Sequence, residues 1–80
     1  MENFVKLNSL KNGEKTIVYN IINFDEKMNY RLIELGFVKG EKIEIIKNFK
    51  KAKNMLIVIR GYVLSLDYSL AEKIIVYGVK

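Results

Sequence analysis

A chain of 80 residues with neither cysteine nor histidine must hold its fold together by apolar burial alone. Many domains near this size lean on disulfides or a structural metal, and the residues for both are missing. The same absence removes zinc fingers and ribbons, iron–sulfur ligation, and every Cys–His or Ser–His–Asp nucleophile arrangement from consideration. Half of the residues are apolar against 29% charged, a balance that supports a packed core and argues against disorder. There is no proline, no low-complexity tract and no repeat, so residues 1–80 read as one small domain.

Local patterns then divide the chain. Leu7 to Gly13 reads as a short lead-in ending in an Asn12-Gly13 turn, because both residues tolerate positive φ. Lys15 to Phe24 (KTIVYNIINF) is rich in β-branched and aromatic residues and suits a strand, with Ile21-Ile22 breaking the alternation as a bulge or burial on both faces would. Asp25 is a suitable N-cap, and Met28, Leu32 and Leu35 recur at i, i+4 and i+7, which predicts a helix over about 25–35. Gly36 stands where a left-handed residue would close that helix, and Phe37 where it would fold back on the last turn. After Gly40 the pattern returns to β: Lys42–Lys47, Met55–Arg60, then Tyr62–Leu66 beyond a bend at Gly61. A short helical turn near 68–72 precedes a last strand at Ile74–Tyr77. The expectation is a mainly β fold, a small bent antiparallel barrel of about five strands with one inserted helix, since closure avoids exposed sheet edges.

Fourteen Lys and Arg against nine Asp and Glu give a net charge of +5. Twelve of the fourteen are Lys, eleven residues are Ile and eight are Asn, a combination that reads partly as genomic bias. Placing the charges is more informative. Lys47, Lys50, Lys51 and Lys53 fall within seven residues without an acid among them, and the rest of the chain carries only +1. No segment resembles a signal peptide, and the longest apolar run, Met55 to Ile59, is far short of the roughly 20 residues of a spanning helix. The chain reads as cytosolic.

The run Arg31-Leu32-Ile33-Glu34-Leu35-Gly36-Phe37-Val38-Lys39-Gly40-Glu41-Lys42-Ile43-Glu44-Ile45 resembles the signature R-L-x-x-L-G-[FLM]-x-x-G-x-x-[IV]-x-[IV] of the FeoA family, small cytosolic proteins of bacterial ferrous-iron uptake. Arg60-Gly61-Tyr62-Val63-Leu64-Ser65-Leu66 is similar to that family's R-G-x-x-[IL]-x-L block, and Leu70 to Val76 to its L-A-x-x-I-x-V ending. The opening Leu7-x-x-Leu10-Lys11-x-Gly13 is similar to its L-x-x-L-x-x-G start. The resemblance spans roughly residues 7–77. It implies an SH3-like barrel and an accessory role to FeoB, the membrane-embedded transporter with a cytosolic GTPase domain. The same fold occurs in some iron-dependent repressors, but no helix-turn-helix accompanies it here, so a complete repressor is not expected. Where the family often has a Gly/Pro-containing loop, this chain has Asn48 to Asn54 without either.

Each candidate site also has a plainer reading. The carboxylates are scattered among lysines and element ends, so no enzyme is expected. Asp25-Glu26, the only adjacent acidic pair, reads as a helix start, and no metal or cofactor is expected. No P-loop spacing occurs, and Gly36, Gly40 and Gly61 read as structural glycines. The expected partner-binding surface comprises Arg31, Leu32, Leu35 and Phe37, with Arg60 as either a partner hot spot or a bridge between helix and barrel. Lys47, Lys50, Lys51 and Lys53 read as a solvated hairpin tip or as a contact for an anionic membrane surface. The alternatives are a nucleic-acid-binding barrel, with nucleic acid disfavoured by the scarcity of Arg, or a barrel that holds Pro-rich peptides on tyrosines.

Overall fold

The computed structural model describes residues 3–22 and 25–78. Six strands form one antiparallel sheet in the order β1-β6-β2-β3-β4-β5, where β1 is Phe4–Lys6, β2 Lys15–Ile21, β3 Lys42–Phe49, β4 Asn54–Ile59, β5 Tyr62–Asp67 and β6 Ile74–Tyr77. Helix α1 spans Glu26–Leu35, the short helix α2 spans Tyr68–Ala71, and a 3-10 turn occupies Leu7–Ser9. The predicted strand count of about five falls one short. The missing strand, β1, is three residues long, too short for an alternation to show, and is fixed by pairing with β6 at the far end of the chain (Phe4 with Tyr77). Asn23 and Phe24, the end of the predicted first strand, lie outside the described residues.

Strand alternation builds the core. Met55, Ile57 and Ile59 of β4 point inward, joined by Ile43 and Ile45 of β3, Val18 of β2, Leu66 of β5, and Ile74 and Val76 of β6. Leu7, Leu32, Phe37 and Ala71 close this core from the turns and helices. Strand β2 serves both halves of the sheet: Lys15 to Ile17 pair with β3, while Val18 to Ile21 pair with β6. The register slips at Tyr19, a bulge two residues earlier than the Ile21-Ile22 pair suggested. A bulge bends its strand and sharpens the local twist, which is what a sheet turning back on itself requires.

A second slip, at Ile46 of β3, changes what faces inward. Strict alternation after Ile43 and Ile45 would drive Lys47 into the core. The extra residue leaves both Ile46 and Lys47 exposed and turns Asn48 inward. Asn48 then joins three segments: its side-chain amide donates to the Asn8 and Leu10 carbonyls at 3.0 and 2.7 Å, and its Oδ1 accepts from the Tyr68 hydroxyl. Its backbone N–H donates to Asn12 Oδ1 at 2.7 Å. The strand therefore runs two residues beyond the predicted Lys47, and the basic loop shrinks to Lys50–Lys53.

Candidate functional site

Helix α1 is set at both ends by the signals its sequence carries. Asp25 accepts backbone N–H bonds from Lys27 and Met28 at 3.0 and 3.4 Å, and Glu26 adds favourable charge to the first turn. Gly36 takes the left-handed conformation (φ 113°), its N–H bonds to Ile33 O, and the Phe37 N–H bonds to Leu32 O. That pair of bonds is a Schellman closure, in which the residue after the glycine returns to the apolar face. Phe37 and Leu32 are accordingly both core residues at 1% exposure.

This corrects half of the predicted partner surface. Leu32 and Phe37 are unreachable, because the i, i+4 stripe is the face the helix buries and the closure folds Phe37 beneath it. Arg31 is exposed and Leu35 half-buried; both line a groove of about 410 Å³ between α1 and the end of β5, with Asp67 and Ser69 opposite.

Arg60 lies elsewhere. Arg60 and Gly61 form the two-residue turn between β4 and β5, both with positive φ (52° and 78°), the backbone of a type I′ hairpin. From there the guanidinium crosses Gly36 and reaches Glu41, Nε to Oε1 at 3.0 Å. The neighbouring Tyr62 hydroxyl donates to Leu35 O, an orphan carbonyl of the helix end. Of the two readings open for Arg60, the bridge between helix and barrel describes its contacts. A groove of about 710 Å³ runs beside it over Ile17, Lys42, Glu44 and Val58, but the arginine's charge already faces Glu41.

Two exposed apolar residues stand on the other flank of α1. Tyr30 is 68% and Ile33 46% exposed. Ile33 and Asn29 form one wall of a groove of about 470 Å³, Tyr19, Asn20 and Ile21 of β2 the other, with Lys39 at its end. Beyond Tyr19 the rings continue: Phe4, itself 44% exposed, stacks on Tyr19 with centroids 4.1 Å apart, and Tyr77 stands 5.2 Å from Phe4. Lys39 Nζ lies 5.1 Å from the Tyr19 ring centroid. One side of the molecule thus presents a groove with aromatic and aliphatic rims and a cation. Sequence reading missed Tyr30 and Ile33, although their signal was present: apolar residues lying off the Met28–Leu32–Leu35 stripe. Among the described residues no three carboxylates converge as a metal site would need.

The hairpin tip carries the predicted lysines, all four exposed. Lys50–Lys53 connect β3 to β4, Lys53 in the left-handed region (φ 56°), and its carbonyl accepts the Tyr68 N–H at 2.9 Å.

A six-stranded, bulged and bent sheet with one helix sealed onto it by a neighbouring hairpin defines the class of small SH3-like barrel proteins. The family profile described as FeoA domain matches residues 5–77, and the chain belongs to that family. Among solved structures, the FeoA-like protein from Clostridium acetobutylicum is 29% identical with a TM-score of 0.82, covering 95% of this chain and 87% of its own. The zinc-complexed FeoA of Stenotrophomonas maltophilia, described as a procaryotic SH3 domain protein, is 25% identical with a TM-score of 0.79, covering 90% of this chain and 88% of its own. A manganese-dependent transcriptional repressor shares the fold at 16% identity and a TM-score of 0.88, with 99% of this chain matching 44% of that one. Searched by sequence, the curated proteins contain no significant match.

Proposed function

We propose that this chain is a non-catalytic accessory of ferrous-iron uptake that docks on the cytosolic part of a FeoB-type transporter through the α1–β2 groove. Family membership supports the pathway, as does the Stenotrophomonas relative, put forward as a ferrous iron transport activating factor. The observation that carries the docking reading is the exposed Ile33 facing Tyr19 across one groove, with Phe4 stacked on Tyr19 beyond it and the exposed Tyr30 three residues before Ile33 on α1. Large apolar side chains scattered singly are ordinary, whereas several on one face of a small barrel mark an interface, with Tyr a frequent anchor. Burying Tyr30 and Ile33 against a partner removes apolar area without unfolding anything, and the Lys39 cation beside the rings gives the encounter an electrostatic direction.

The test is co-purification of the protein with the transporter and with its isolated GTPase domain, repeated with Tyr30→Ala and Ile33→Ser. Retention by the native protein and loss by both variants is expected. Unchanged retention of the variants, or recovery of nucleic acid alone, overturns the reading.

A further inference from the structure

We propose that the β3–β4 hairpin tip is a contact site for an anionic lipid surface. Lys47, Lys50, Lys51 and Lys53 are all exposed there, and the single ion pair among the described residues, Arg60–Glu41, lies elsewhere. Among the described residues, none of the four ammonium groups has a carboxylate within salt-bridge distance. The bulge at Ile46 adds Lys47 to the exposed set, since strict alternation would have turned it inward. It also exposes Ile46, and Phe49 lies beside Lys47, whose Nζ is 5.6 Å from the ring centroid. Ile46 and Phe49 are each 40% exposed.

Lysines flanking an aromatic and an aliphatic side chain fit the headgroup layer, where the charge meets lipid phosphate and the ring enters the apolar boundary. Two other anionic partners fit less well. Single-stranded nucleic acid requires a succession of stacking rings alongside the cations, yet Phe49 is the one exposed ring at the tip, and the Phe4–Tyr19–Tyr77 cluster stands at the opposite end of β3, beyond Gly40 and Glu41. An acidic protein surface of ordinary size requires about 800 Å² from each partner, more than a four-residue loop and its two flanking strand ends offer.

The full chain, without any transporter, is sedimented with vesicles of phosphatidylcholine alone or mixed with phosphatidylglycerol. Binding to the anionic vesicles only, weakening several-fold as salt rises from about 50 to 300 mM, is expected. Changing Lys47, Lys50, Lys51 and Lys53 together to Ser should weaken it more than about tenfold. The double variant Lys50→Ser/Lys51→Ser, confined to the loop, should show an intermediate loss, and Phe49→Ser a loss of several-fold. Changing the exposed Lys6, Lys15, Lys27 and Lys42 to Ser removes the same charge elsewhere and should leave most of the binding. Undiminished binding by the loop variants, an equal loss in the distributed variant, or displacement of the vesicles by an oligonucleotide at equal salt overturns the proposal. Because no transporter is present, the outcome is separate from that of the docking experiment.

Discussion

Arg60 lies across the backbone of Gly36, its Cδ and Nε 3.0 Å from the point where a β-carbon on that glycine would stand. Two sequence blocks that are 24 positions apart therefore meet at one contact, and each explains the other. The glycine is needed both for its left-handed backbone and for the space the arginine occupies. The exposed Arg60–Glu41 pair adds at most about 1 kcal/mol, so shape rather than charge is the larger part of the contact.

Gly36→Ala should destabilise the protein by roughly 2 kcal/mol or more, combining left-handed strain with the collision. Gly40→Ala, where φ is 93° but nothing lies within 4 Å of the added carbon, should cost only the backbone part, about 1–2 kcal/mol. Adding Arg60→Ala to Gly36→Ala should recover part of the first loss and none of the second. Urea unfolding of the two single variants and of both combined with Arg60→Ala measures this coupling directly.

Asn48→Ala should cost about 2–4 kcal/mol, because it leaves the Asn8 and Leu10 carbonyls and the Tyr68 hydroxyl without their shared partner. Asn48→Asp should be worse still, since it turns a donor facing two carbonyl oxygens into an acceptor. Thermal unfolding midpoints falling in the order native, Ala, Asp would bear this out. A midpoint for Ala within a degree of native would count against the network.

Lys53 occupies a left-handed position where a side chain costs about 1–2 kcal/mol, and a glycine does not. Lys53→Gly should therefore raise stability by roughly 1 kcal/mol, while Lys50→Gly, at a residue without positive φ, should not. This is the position at which a glycine in the loop would be most useful. The comparison of denaturant midpoints decides it.

Leu32→Ala and Ile33→Ser separate the two faces of α1. The first should remove about 2–5 kcal/mol of stability by opening a cavity, and any loss of partner binding should track unfolding. The second should leave the unfolding midpoint within about 0.5 kcal/mol of native and reduce retention by the transporter. The pair is read by measuring both properties on each variant.

Elements whose signals are local were legible in the sequence. Asp25 caps, Gly36 closes, and Phe37 folds back, all within thirteen residues, and the strands at Met55–Ile59 and Ile74–Tyr77 show as short apolar runs rich in β-branched residues. What depends on distant pairing was not legible. The three residues of β1 have no pattern of their own, and the bulge at Ile46 follows from how β3 meets β4. Asn48 looked like loop polarity because its partners come from residues 8–12 and 68. The same limit applies to the site: periodicity marks what a helix buries, so a partner surface placed on Leu32 and Phe37 falls on the inner face. Tyr30 and Ile33, off that stripe, are what it leaves outside.

The Tyr62 hydroxyl on Leu35 O and the Arg60 side chain over Gly36 also order events in time. A ten-residue helix is marginal by itself, and the groups that finish this one belong to a hairpin more than 20 residues further along the chain. If these contacts are what makes its last turn persistent, α1 should form late, once β4 and β5 have paired, despite carrying its own local caps. In pulse-labelling during refolding, the Phe37 amide should gain protection together with those of β4 and β5, and protection of Phe37 ahead of them would refute that sequence.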